Sequence, residues 1–136
     1  MIYLDANFFV MCNFDQTIKG ENARKILGEI SAGKEAITSS LALDEVMWVI
    51  IKNKRIEALR ETIEDIYAML NLTVKEVSPE IPLEALDFIE KYNLKPRDAF
   101  HVAVMKKFQV NEIVSDDSDF DKVEWVKRIG YESNNF

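Results

Sequence analysis

The sequence predicts an α/β fold, a central and mostly parallel sheet of about five short strands flanked by helices. Three observations carry this. Short β-branched or aromatic runs alternate with longer helical patterns along the chain. Strands separated by helices are joined by crossovers, the connection that parallel strands need. At 136 residues, 48% of them apolar, with only four Gly and three Pro, the chain has the composition of one packed core. A single domain over residues 1–136 is therefore expected.

Ile2–Leu4 is the first strand, closed by Asp5. The apolar stretch Phe8–Cys12 holds the single cysteine, which can form neither an internal disulfide nor half of a Cys-based zinc site and is read as packing. Ala23–Ile30 is a helix and Ala36–Thr38 the second strand. In Leu41–Ile51 nine of eleven residues are apolar, which predicts a helix buried around its circumference. Its two exceptions are the adjacent acids Asp44 and Glu45. A carboxylate there must reach solvent, find donors, be protonated or face a cation. Arg55–Leu70 is the clearest amphipathic helix, apolar at 56, 59, 63, 66, 67 and 70. Leu72–Val77 is the third strand, and Pro82–Tyr92 and Arg97–Phe108 are helices near prolines suited to helix starts. Glu112–Val114 is the fourth strand and Trp125–Ile129 the weakest, fifth.

The net charge of −7 repels a nucleic acid at long range, so an RNA or DNA partner has to be argued locally. The cations bunch at Lys52–Arg55, Lys106–Lys107 and Lys127–Arg128, where solvated helix ends favoured by the helix dipole are the simpler explanation. The longest apolar run is six residues, Val46–Ile51, too short to span a bilayer. The N-terminus has no basic segment before an apolar one, so a cytoplasmic protein is expected.

Open α/β sheets place ligands outside the carboxyl ends of their strands. Asp5 directly follows the first strand, and Asp116, Asp117 and Asp119 follow Ile113-Val114-Ser115. Asp98 lies in the first turn of the helix opened by Pro96. Taken singly, each acid is explained by a cap, a turn or a helix dipole. Taken together they suit a divalent cation such as Mg²⁺, which prefers a few carboxylates and keeps waters for a phosphate. Converging carboxylates at ~5 Å repel by roughly 3 kcal/mol per pair at an effective dielectric of ~20. Without metal, at least one should then hold a proton near neutral pH.

Other chemistries fail on the residues. A calcium loop read from Asp117 has Lys122 where glycine is needed and Arg128 where a bidentate Glu belongs. The one histidine, His101, lies inside the apolar run Phe100–Met105 and is read as a satisfied core residue; no G-x-S-x-G turn accompanies it. There is no Gly-rich phosphate loop and no second imidazole. A phosphoacceptor receiver domain is also α/β with Mg²⁺ beside acids, but its acid pair should follow the first strand, whereas here the pair comes last.

Four strings in order, Asp5-Ala6-Asn7, Glu45 in an apolar helix, Arg97 to Ala103 and Ser115 to Phe120, resemble the PIN domain over residues 5–120. Within that family the chain is most similar to the VapC toxins of prokaryotic toxin–antitoxin pairs. The resemblance implies a ribonuclease dependent on Mg²⁺ or Mn²⁺, with Asp5, Glu45, Asp98 and Asp117 as its four acids and Asp119 as an auxiliary. By resemblance Asp5, Asp98 and Asp117 ligate the metal, while Glu45 and Asp119 act through waters or on the nucleophile. Asn7 matches a polar residue expected after the first Asp, and Ser115 a hydroxyl that orients the acid at 117. The extra acids at 116 and 44 leave open which of each pair points inward. Lys95, Arg97 and Lys52–Arg55 would rim the acids and grip RNA. The resemblance further implies a homodimer and an antitoxin partner seated between the helices around Leu41–Leu70. Trp48 and Tyr67 are either its anchors or, at helical spacing, core. A catalytically inactive PIN-like binding module is the remaining alternative.

Overall fold

A computed structural model describes residues 1–132. Five strands, β1 (Ile2–Leu4), β2 (Ala36–Ser39), β3 (Leu72–Lys75), β4 (Glu112–Val114) and β5 (Lys127–Ile129), form one sheet in the order β3-β2-β1-β4-β5. Every neighbouring pair is parallel, with Tyr3 in register with both Ile37 and Ile113. The expected α/β architecture is therefore present.

Side chains alternate across a strand, so β1 feeds two cores. Ile2 and Leu4 pack beneath α1 (Ala6–Phe14), α2 (Ile18–Ser31), α3 (Ser40–Lys52) and α4 (Leu59–Ala68). Tyr3 points to the opposite face, beneath α5 (Ile81–Tyr92) and α6 (Pro96–Lys107). All three β1 residues are buried, as a strand covered by helices on both faces must be. No described helix is long and apolar enough to cross a membrane.

Several boundaries differ from those expected. The stretch read only as apolar packing is the helix α1, with Phe8, Phe9 and Met11 buried and Cys12 packed against the same core. β3 stops at Lys75 rather than Val77. β5 is confined to Lys127–Ile129, because Trp125 turns to pack on Phe88. The pair Lys127–Arg128 thus lies on a strand and not at a helix end; Arg128 makes two 3.0 Å hydrogen bonds to Asp121. The segment Ile56–Ala58 is a 3₁₀ turn ahead of α4.

The largest correction concerns α3. It is not buried all round: Met47, Trp48 and Ile51 are exposed on one face, Trp48 at 61%. Tyr67 on α4 is exposed at 62%, so neither aromatic is core.

Candidate active site

The sheet order places the chain's reversal between β1 and β4. From β1 the chain moves outward through β2 to β3, then returns to β4 on the other side of β1. A crevice opens outside the carboxyl ends of strands at such a switch point. Asp5 leaves β1 at this edge and Ser115 leaves β4 beside it. Helices α3 and α6 present their N-terminal turns here too, since α3 follows β2 and α6 precedes β4.

Asp5 is buried and caps α1, accepting a 3.3 Å hydrogen bond from the Phe8 N–H. Burial pushes its carboxyl up to about 6, against the opposing pull of the Ser115 hydroxyl and His101. Ser115 is also buried, and its Oγ accepts the Asp117 N–H at 3.0 Å. It anchors the backbone of the acidic loop rather than the Asp117 carboxylate, the role expected of it. Asp117 in turn accepts the Asp119 N–H at 2.9 Å, starting the 3₁₀ turn Ser118–Lys122.

The oxygens of Asp98, Asp117 and Asp119 lie within 4.8 Å of one another. At that separation two carboxylates repel by roughly 3 kcal/mol at an effective dielectric of ~20. Partial burial, followed by the charge of Asp117, pushes the Asp98 carboxyl up to about 7. The group thus retains a proton near neutrality when nothing neutralises it, as the sequence led us to expect. The trio differs from the expected ligand set by having Asp119 in place of Asp5, which lies deeper, against Ser115.

Both doubled acids are resolved. Asp116 turns away to Lys19, at 3.0 Å, leaving Asp117 to face Asp98. Asp44 is exposed, whereas Glu45 is 17% exposed and contacts His101 Nε2 at 2.7 Å and Arg97 Nε at 3.7 Å. Asn7 is exposed in the first turn of α1. Of the basic residues expected to rim the acids, Lys95 and Arg97 stand exposed at the start of α6. The Lys52–Arg55 bunch lies at the far end of α3, about 10 Å along its axis from Glu45. Lys122, 3.4 Å from Asp119, was not foreseen. Nor was His101 as a partner of Glu45. Its placement three residues after Asp98 on one helix face was the available signal.

This fold and edge define a parallel α/β domain with a cluster of carboxylates at a topological switch point. The chain belongs to the PIN domain family, whose model matches residues 2–126. Ribonuclease VapC13 of Mycobacterium tuberculosis is 26% identical over 132 residues, covering 95% of this chain and 99% of that protein. Ribonuclease VapC6 of Methanocaldococcus jannaschii is 33% identical over 73 residues, 54% of this chain and 48% of that relative, so this match spans about half of its length. Among solved structures, the fold is similar to that of M. tuberculosis VapC20, a sarcin–ricin loop cleaving toxin, with a TM-score of 0.78 at 17% identity over 93% of this chain and 97% of that one. It is also similar to VapBC2 from Rickettsia felis bound to a promoter DNA fragment, at 0.73 and 17% over 96% and 98%. The PIN match displaces the receiver-type alternative.

Proposed function

We propose that this PIN domain is a metal-dependent endoribonuclease, the toxin of a toxin–antitoxin pair, acting in the cytoplasm where its RNA substrate is found. The observation that carries this is the convergence of Asp98, Asp117 and Asp119 within 4.8 Å, with Asp5 and Glu45 alongside. The donor set is all carboxylate oxygen, which suits Mg²⁺ or Mn²⁺ and does not suit a soft metal. Asp98, Asp117 and Asp119 would hold the ion, with Asp5 supplying negative field from beneath. When bound, such an ion supplies Lewis-acid stabilisation of charge developing on the scissile phosphate and lowers the pKa of attacking water.

The chain's own groups supply the rest. Glu45, held on one oxygen by His101, orients the attacking water with the other and takes its proton. Arg97 and Lys95 contact the phosphates flanking the cut, and these contacts fix register without reading sequence. Attack by water leaves 5′-phosphate and 3′-hydroxyl ends and does not use the 2′-hydroxyl.

Relatives solved as toxin–antitoxin complexes, including one from Klebsiella pneumoniae, support an antitoxin partner. The exposed Met47, Trp48, Ile51 and Tyr67, beside a cavity of 230 Å³ lined by Met47, Leu59 and Ile63, form the apolar surface it would cover. A homodimer belongs to the same proposal.

The test is cleavage of end-labelled RNA by the purified chain with Mg²⁺, Mn²⁺ or EDTA. Cutting with either metal, abolished by EDTA and by Asp117→Asn, is expected. Cutting that persists undiminished in EDTA would overturn metal dependence, and no cutting of any cellular RNA would overturn the nuclease.

A further inference from the structure

Resting on the function proposed above, we propose that His101 is a positioning residue that aims Glu45, and that its own tautomer is set by a hydrogen-bond chain from Ser39 through Tyr3. His101 is 2% exposed, and its two ring nitrogens meet two different elements. Nε2 lies 2.7 Å from Glu45 Oε1 on α3, and Nδ1 lies 2.5 Å from the Tyr3 hydroxyl on β1. That hydroxyl is 2.8 Å from Ser39 Oγ, which accepts the Ala42 N–H at 3.2 Å and so caps α3, the helix that carries Glu45. Four side chains therefore link β2, β1, α6 and α3, and the Ser39 cap on α3 closes the loop.

Counting protons gives the loop a direction. A carboxylate oxygen only accepts, so Glu45 Oε1 takes the hydrogen on Nε2 and leaves Nδ1 as the ring's acceptor. Tyr3 then donates to Nδ1, and its oxygen accepts the Ser39 hydroxyl proton while Ser39 Oγ takes the Ala42 N–H. Each hydroxyl and each ring nitrogen is satisfied, with no proton left over. Tyr3 meets the imidazole edge-on, ring centres 5.4 Å apart, which restricts the ring's rotation. A histidine serving only to fill the core would be satisfied by backbone carbonyls of its own face. Here the partner is an acid of the proposed site.

The consequence for Glu45 is that one oxygen is pinned and the other is not. Among the described residues Oε2 takes no hydrogen bond, and with the side chain 17% exposed it remains open to water. Without His101 the remaining partner of Glu45 among the described residues is Arg97, 3.7 Å away on a side chain 56% exposed, a pair that water screens. Glu45 would then sample rotamers that the imidazole now excludes.

The chain has one histidine, so a single ring reports the arrangement by ¹⁵N NMR. The parent should show a protonated Nε2 and a bare Nδ1. Glu45→Gln should move the Nε2 signal, and Tyr3→Phe should move Nδ1. In RNA cleavage with Mn²⁺, His101→Phe should lower kcat about 10- to 100-fold with KM near the parent's. His101→Gln, which returns an N–H donor, should recover most of the loss. Should the Phe variant fail to fold, Tyr3→Phe and the parent's spectrum still decide the matter. A folded His101→Phe cutting at the parent's rate, or a ring whose nitrogens ignore both neighbouring substitutions, would overturn the positioning role alone. A parent that cuts no RNA overturns the nuclease and the positioning role together.

Discussion

Replacing Asp98 by Asn should make the protein more stable and catalytically dead. The carboxyl moves from an ordinary 3.8 to about 7 in the fold, first through burial and then through the charge of Asp117. Fully expressed, that displacement amounts to ~4 kcal/mol of unfavourable energy in the charged form. Water reaches about half of the group, which reduces it to ~1–2 kcal/mol. The lost interaction of an acid with the α6 N-terminus is smaller, ~0.3–1 kcal/mol. Repulsion and burial therefore win. Because the folded pKa is raised, the native state binds the extra proton and stability falls as pH rises between about 4 and 7. The gain from Asp98→Asn is then complete above pH 7 and reduced to roughly a third at pH 5. Calorimetry in EDTA at pH 7.5 should show a melting temperature about 3–6 °C above the parent's. Mg²⁺ should raise the parent's melting temperature and leave the variant's nearly unchanged. A variant melting at or below the parent in EDTA at pH 7.5, or a gain that ignores pH, would refute the electrostatic account.

Asp116→Asn, which removes the pair with Lys19, should leave RNA cleavage near the parent's rate, while Asp117→Asn abolishes it and, by relieving the repulsion on Asp98, melts no lower than the parent in EDTA. Asn retains the cap on the Asp119 N–H, so the contrast, read in one gel assay, isolates charge. Gly20→Ala should destabilise. Its Cβ would stand 2.0 Å from the Asp15 carbonyl oxygen, and the resulting backbone shift outweighs the ~1 kcal/mol that Ala brings to a helix, for a net loss of ~1–2 kcal/mol in urea denaturation. Trp48→Lys should change stability by less than ~0.5 kcal/mol and leave cleavage intact, yet weaken antitoxin binding in calorimetric titration by tenfold or more.

What the sequence reveals and conceals follows from how each signal is encoded. Strand and helix alternation is a local property, so five parallel strands and most helices are legible. The helix α1 is not, because Phe8, Phe9 and Met11 are buried beneath several neighbours and leave no one-sided period to detect. Apolarity around α3 was visible, but the sequence does not separate a stripe facing a core from one awaiting a partner. That distinction depends on which helices pack against it. The acids at the ends of β1 and β4 were legible because topology, once inferred, brings them to one edge. Which of Asp44 and Glu45 points inward was not, because the answer lies in His101, 56 residues away in sequence.

The charge arrangement at this edge bears on how a protein of net charge −7 would hold the RNA proposed as its substrate. Four cations near this edge are paired with acids: Lys19 with Asp116 at 3.0 Å, Lys122 with Asp119 at 3.4 Å, Arg128 with Asp121 at 3.0 Å and Arg97 with Glu45 at 3.7 Å. Each neighbouring acid offsets part of its cation's charge, which leaves Lys95 as the exposed cation beside these acids that forms no ion pair among the described residues. Asp119 is one of the mutually repelling acids, and its neutralisation would free Lys122 to face a phosphate. The repulsion within the trio and the pairing of Lys122 are one feature of the electrostatics, and a divalent charge held by the trio would relieve both.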